Sequence, residues 1–409
     1  MKVLLVGTGT VGEAIAKLSR GRPWLEKMVL ADYDLLRAQK VLAEVGHDAA
    51  YTAVHVDASR KQDVVDLIRA EGIDLVMNSV DPRFVMPLFE AALEAGVDYV
   101  DMAVSLSEPH PTEPFSKPGV MLGARQFALA DAWKASGRMA LLGIGMDPGL
   151  SDLFGKYAAK HLFDEVHGVH VRDGGDMYIE GFAFATVFSI WTTIEECLNP
   201  PLLYEKDHGG WYTTEPFSGA ERFIFPEGIG PVECVNVEHE EVVLAPRGLD
   251  IRSASFKYAL GAEFIEILKT LHKLGLDSTK KIKVGSVEVA PRDVVMALTP
   301  DPMGLGDRMF GRAIVGTWAT GMKDGKAREV FLYQMADAQE VWRNHGLQVV
   351  GWQTGFNPVL AMELIAEGAW RAEGIVIPED MDPDPYLALM DTLGIHHDMM
   401  EIEPGTAIA

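Results

Sequence analysis

Cysteine is nearly missing from this chain: Cys197 and Cys234 are its only two among 409 residues. Neither stands in a C-x-x-C or other ligand spacing, which excludes a disulfide scaffold and a cysteine-built metal site and points to a reducing compartment. Long apolar runs are missing too. No stretch reaches the roughly 18 residues of a membrane span, and the amino terminus runs into a short apolar segment that stops at Gly7, without an h-region or a cleavage site. A cytoplasmic protein is the expectation. Positive charge is scarce, with 36 Lys and Arg against 60 Asp and Glu, a net charge of −24. So acidic a surface repels phosphate backbones and anionic headgroups, which argues against nucleic-acid and membrane partners. What is present is ordinary globular material, 48% hydrophobic and 23% charged. That excludes wholesale disorder, and the length allows two or three domains.

Residues 2–6, Lys-Val-Leu-Leu-Val, form a strand-length run ending in Gly7-Thr-Gly-Thr-Val-Gly12, and a helix-compatible pattern follows. A glycine cluster between strand and helix is the context in which G-x-G-x-x-G binds a dinucleotide. Gly7 permits the turn, Gly9 lets backbone approach a pyrophosphate, and Gly12 lets the helix pack on the strand. Thr10 and Val11 open that helix, whose free N–H groups and positive dipole end face the phosphates. A second strand, residues 27–31, ends at Asp32, 20 residues after Gly12. A carboxylate there accepts both ribose hydroxyls of NAD and repels the 2′-phosphate of NADP, and no Arg or Lys follows within four positions. NAD is the expected cofactor, NADP the less favoured one.

The alternation continues through a strand at 53–56 ending at Asp57, placed to reach the adenine, and through 73–77, which ends in Asn78 and Ser79. After a helix at 85–95 comes Tyr99-Val100-Asp101. Polar residues at the carboxyl ends of parallel strands are where ligands bind in open α/β sheets. Residues 105–119 hold four prolines and read as a loop over that edge. A strand at 139–144 leads to Gly145-Met-Asp-Pro-Gly-Leu150, closing a domain of residues 1–150. From His167 the pattern changes to short strands (168–172, 221–225, 235–245, 252–256, 281–284, 313–320, 329–335), helices at 186–197 and 260–274, and a hairpin turn at Lys323-Asp-Gly-Lys326. The expected architecture is α/β: a Rossmann-type parallel sheet, plus a second α+β substrate and dimerisation domain with a mixed sheet over residues 151–344. Residues 345–409 are expected to pack back on the first domain through a helix at 359–367. The run 378–404, with eight acids and no Lys or Arg, reads as a solvated tail or surface helix. His239, His208 and the His396-His397 pair have no defined ligand set, and no metal is expected.

The segments Gly7-x-Gly-x-x-Gly12, Gly145-Met-Asp-Pro-Gly-Leu150, Ala245-Pro-Arg-Gly, Phe256-Lys-Tyr and Trp352-Gln-Thr-Gly-Phe-Asn-Pro358 resemble the saccharopine dehydrogenase-like superfamily. It includes saccharopine reductases, lysine 6-dehydrogenases and carboxynorspermidine dehydrogenases. The resemblance spans nearly the whole chain and implies NAD(P)-dependent chemistry at a carbon–nitrogen bond of an amino acid or derived amine, by a homodimer joined through the second sheet. Asp32-Tyr-Asp34 stands where saccharopine reductases carry basic residues, which favours NAD-dependent, lysine-dehydrogenase-like oxidative deamination. The alternatives are reductive condensation of an amine with a carbonyl compound, and a non-catalytic NAD-binding protein whose cleft is plugged by Trp191, Trp211 or Trp352. In an enzyme, Asp101 and Asp147 are placed to hold or deprotonate the amine. Arg247 and Lys257, read as lying on strands, would grip a substrate carboxylate. Gln353, Thr354 and Asn357, ahead of the last helix, would bond nicotinamide or substrate.

Overall fold

The computed structural model describes residues 1–46 and 48–409. The apolar runs of the first third become β1 (Lys2–Val6), β2 (Lys27–Asp32), β3 (Tyr51–His55), β4 (Leu75–Asn78), β5 (Asp98–Val100) and β6 (Met139–Leu141). Apart from the edge strand β3, where Thr52 and His55 are exposed, they are buried on both faces, as parallel strands covered by helices must be. Gly374–Val376 joins as a seventh, and the parallel order is Gly374–Val376, β6, β5, β4, β1, β2, β3. The strand order reverses between β1 and β4, and outside their carboxyl ends lies the crevice in which such sheets bind ligands.

The second domain is built on a nine-stranded mixed sheet. Its centre is the long strand Glu165–Gly175, parallel to Ser253–Tyr258 on one side and antiparallel to Arg312–Lys323 on the other. Lys323-Asp-Gly-Lys326 is the expected hairpin turn, with Asp324 and Gly325 both at positive φ; two such residues match the twist of the flanking strands. The stretch 235–245 is not one strand. Pairing ends at Asn236 and a helix, Glu241–Gly248, follows, because acidic side chains at 238, 240 and 241 turn into the protein interior rather than alternate across a pleat.

The carboxyl-terminal segment serves both domains. Its helix, Val349–Glu367, starts ten residues earlier than the sequence pattern suggests. The Gln353–Pro358 motif therefore lies inside the helix rather than before it. A Cβ on Gly351 would come within 2.6 Å of Thr10 Cγ2, and one on Gly355 within 2.7 Å of Ala14 Cβ. Those two small residues let the helix lie against Thr10–Ser19 and bring its amino end to the crevice. The last strand, His397–Ile402, leaves the first domain and pairs with Lys326–Asp337 of the second sheet. The acidic run 378–404 is thus no solvated tail, since Tyr386 and Met390 are fully buried and so is Glu379.

Glu379 lies beside the buried Asp152, and burial, with Asp380 and Glu241 adding their charge, raises its carboxyl from 4.5 to about 7. The folded chain therefore holds this proton more tightly than the unfolded chain. Its contribution to stability is fully present below the ordinary glutamate range and is lost as pH rises toward 7. Glu379→Gln is expected to flatten the fall in stability between about pH 5 and about pH 8 by roughly 2 kcal/mol. Urea denaturation at the two pH values measures this, and an unchanged slope would contradict it.

Candidate active site

The glycine turn forms as its residue types require. Gly7 has φ +94°, and a Cβ there would meet the Ser79 carbonyl oxygen at 2.4 Å. One on Gly12 would lie 2.0 Å from the Gly7 carbonyl oxygen, so Gly12 packs helix against turn and does not face the cleft. Gly9 has only the tip of the Arg37 side chain near its Cβ position, at 3.8 Å, and begins the helix Thr10–Ser19 with no side chain capping it. Gly7, Gly9, Thr10 and Val11 line a cleft of about 610 Å³ with Asp32, Asn78 and Ser79. Uncapped N–H groups, a backbone stripped of Cβ atoms, and the buried Ser79 hydroxyl, which has no partner among the described residues, fit a dinucleotide pyrophosphate. Asn78 is largely spent on the fold: it donates to the Tyr99 hydroxyl at 2.8 Å and accepts from the Val80 amide. Asp57 accepts from the amide and hydroxyl of Ser59 and is not among the residues lining the cleft.

At the far end the cleft reaches Asp147, Asp173, Glu196, His239 and Tyr258. There it meets a second compartment of about 510 Å³ that shares Asp147, Asp173 and Tyr258. Asp147 is presented by the Gly145–Gly149 turn, in which Gly145 N–H donates to the Pro148 carbonyl at 2.7 Å. Gly149 is obligatory there, at φ +135° and with its Cβ position 2.1 Å from the Gly145 carbonyl oxygen. Burial drives the Asp147 carboxyl well above the aspartate range, and the Asp173 charge pushes it further. Burial lifts Asp173 to about 7 and Glu196 to about 8. Burial alone would depress His239, but Glu241 Oε2 lies 2.5 Å from its Nδ1 and holds the imidazole protonated, well above its ordinary range. The ring stacks on Phe256 with centroids 3.8 Å apart. Crowded acids around one imidazolium share protons near neutral pH and favour a further cation among them.

Asp101 is not part of this group. It is fully buried, accepts from the Gly143 amide at 2.7 Å and from Gln126 Nε2 at 2.8 Å, and ties β5 to the chain leaving β6. Arg247 lies on a helix, not a strand, with its guanidinium over the Phe127 ring at 4.3 Å. Lys257 is on a strand but is neutralised by Glu221 and donates to the Gly219 carbonyl. Neither cation lines either compartment. Asn357 is sealed inside, accepting from the Tyr386 hydroxyl. Gln353 spends its amide on Gln334, though its side lines the second compartment. Thr354 alone of that trio lines both compartments. The tryptophans do not plug the cleft: Trp191 is held between Arg83 and Arg292, Trp211 donates to the Val242 carbonyl, and Trp352 stacks on His345.

The sequence pattern does not single out Asp173, Glu196 or Tyr258, and His239, which has no ligand set in the sequence, stands among the acids of the cleft. The one available signal was Glu238-His-Glu-Glu241, a charged run too costly to bury without a purpose. The proline-rich loop is pinned to this run, with Ser107 donating to Glu238 and the Val104 amide to Glu240. Asp101→Asn is expected to lower stability by about 1–3 kcal/mol while kcat stays within about twofold, because the change disturbs buried donors and not the cleft. Thermal unfolding and turnover on the same sample measure both, and a large kcat loss without destabilisation would return Asp101 to the chemistry.

Residues 3–141 match the family model of the saccharopine dehydrogenase NADP binding domain, and residues 145–397 that of the saccharopine dehydrogenase C-terminal domain. Carboxyaminopropylagmatine dehydrogenase of Synechocystis sp. is 30% identical over 397 residues, 96% of each chain. Carboxynorspermidine synthase of Vibrio cholerae is 30% identical over 419 residues, covering 99% of this chain and 98% of that one. The apo saccharopine dehydrogenase (L-Glu forming) of Saccharomyces cerevisiae superposes with TM-score 0.69 over 98% of this chain and all of that one. At 14% identity it speaks for the fold alone. Two matched domains over one continuous cleft make this chain a member of the saccharopine dehydrogenase family, a nicotinamide-dinucleotide oxidoreductase of carbon–nitrogen bonds.

Proposed function

We propose that the protein joins a cationic primary amine to a carbonyl compound by reductive condensation, using NAD(H), with the reacting nitrogen held between Asp147 and Asp173. The observation that carries this reading is the junction. Two compartments meet at half-buried carboxyl groups, which suits two organic fragments linked through one nitrogen, whereas oxidative deamination of a single amine would need only one. The names of the relatives, carboxylated polyamine derivatives, fit an acid-lined junction. In the condensing direction the ammonium and an aldehyde would lose water to form an iminium, and a dinucleotide held along Gly7, Gly9, Thr10 and Val11 would supply the hydride that reduces it.

The carboxyl pair has two tasks. Ionised, it stabilises the iminium charge at close range in a partly desolvated site. Sharing a proton near pH 7, it donates to the departing oxygen and accepts from the incoming ammonium. Reductive turnover is therefore expected to fall as pH rises through about 7, where Asp173 loses its proton, and the reverse oxidation to rise through the same range. Asp147→Asn should lower kcat by about 10²–10⁴ in either direction with NAD affinity retained. The assay follows NADH absorbance with agmatine, lysine and alkylamines against short aldehydes. No turnover with any pair despite measured NAD binding, or turnover of single amines only, would overturn the condensation.

For the cofactor, Asp32 supports NAD. Its Oδ2 accepts the amide and hydroxyl of Thr8 and its Oδ1 the Asp34 amide, so a fixed negative charge stands where a 2′-phosphate would come. Arg37, five positions on, also lines the cleft and lies 3.8 Å from the Gly9 Cβ position, but Asp301 of the second domain engages it at 3.3 Å. We expect kcat/KM at least about tenfold higher with NADH than with NADPH, and Asp32→Ser to narrow that ratio. A preference for NADPH in the unaltered enzyme would overturn the assignment.

A further inference from the structure

We infer that Asp301, carried by the second domain, is a cofactor-specificity residue: by holding the Arg37 guanidinium it keeps that cation from serving the 2′-phosphate of NADP. Cofactor choice is thereby shared between the two domains, with Asp32 acting from the first and Asp301 from the second. This deepens the NAD assignment proposed above and rests on it.

Arg37 lies in the first turn of the helix Leu35–Val45, whose cap, Asp34, follows Asp32 by two residues. Its Nη1 comes within 3.8 Å of the Gly9 Cβ position, so the guanidinium reaches the glycine turn in the cleft that Asp32 also lines. A planar fork of donors near the end of the second strand is the group that grips a 2′-phosphate in NADP-binding sheets of this type. Here that fork is turned to an acid. Nη2 donates to Asp301 Oδ2 at 3.3 Å, and among the described residues Arg37 pairs with no other carboxylate.

Both partners are exposed, and an ion pair of that kind is weak when its members are free to part. Asp301 is not free. Its Oδ1 accepts the Met303 amide at 3.1 Å, which orients the carboxylate at the start of the turn Pro302–Gly304. The chain leading to it is docked on the first domain by other contacts. Arg83, after β4, and Arg292, ahead of Asp301, lie 4.3 and 4.7 Å from the ring centre of Trp191. Arg292 also pairs with Glu195, and Arg83 faces Asp293 at 4.0 Å. Packing therefore carries Asp301 to Arg37, and the ion pair need not hold the segment down. A 2′-phosphate entering there would have to displace an acid already in place, and would meet two like charges, Asp32 and Asp301.

Calorimetric titration of the full chain with NAD and with NADP measures this selectivity without any turnover. Asp301→Asn keeps an acceptor for the Met303 amide and removes the charge. It is expected to lower the Kd of NADP relative to that of NAD by about fivefold, the upper range for an exposed ion pair. In an Arg37→Ala background the same change is expected to move the ratio by less than about twofold, because the released cation is what gains the phosphate. An equal shift in both backgrounds shows Asp301 acting through its own charge and overturns the inference. An unchanged ratio in Asp301→Asn, whether or not both nucleotides weaken together, reduces Asp301 to a cover of the cleft. That too overturns the inference, and it leaves the NAD assignment standing. Tighter binding of NADP than of NAD by the unaltered chain overturns the assignment and the inference together.

Discussion

Carboxyl groups taken out of water around a single imidazolium are the constraint on which the rest of this molecule depends. Asp147 comes from the turn after β6, Asp173 from the strand Glu165–Gly175, Glu196 from the helix Ile190–Leu198, His239 from the chain leading into the helix Glu241–Gly248, and Glu241 from its first turn. The Ser151 hydroxyl donates to Glu241, and beyond it Asp152 and Glu379 extend the buried acids toward the carboxyl-terminal segment. Each ionised acid raises the cost of ionising the next, so protons are shared and net charge is kept low. The group is tolerated because chain segments from every part of the sequence converge to hold it, and because a bound cation would relieve the crowding.

The two domains are consequently less separable than their sheets suggest. One hydrophobic core runs from the parallel sheet into the second domain without a break. The helix Val349–Glu367 crosses from Gln334 contacts in the second sheet to the helix after the glycine turn, where glycines replace side chains that would hold the two helices apart. Its amino end supplies Val350, Gly351 and Thr354 to the cleft. Pro358 also deprives the Thr354 carbonyl of its ordinary helical donor, leaving a polar backbone group beside the junction. A family-specific motif that looks like a binding loop in sequence is thus mainly a packing device that positions one threonine.

Arg37 and Asp301 illustrate how a local pattern can mislead. Read along the chain, Asp32 has no basic neighbour, and NAD follows. In three dimensions a cation is present, and an acid some 264 positions away in sequence engages it. Both readings support the proposed NAD for different reasons, and only the second explains how the arginine is held.

What the sequence determined by itself was whatever depends on neighbours along the chain. The strand–glycine–helix unit, Asp32 at the end of the second strand, the hairpin at Lys323–Lys326 and the parallel-then-mixed order of strands all follow from short-range sterics and periodicity. Tertiary structure alone decided which acids are desolvated together. Asp101 and Asp147 look equivalent at strand ends, yet backbone and glutamine donors absorb the first while the second faces like charge across the cleft. Arg247 and Lys257 look free until Phe127 and Glu221 meet them, and Glu379 looks solvated until Asp152 does. Burial and proton affinity are set by what lies within a few ångströms in space, and no pattern of spacing along one chain encodes that distance directly.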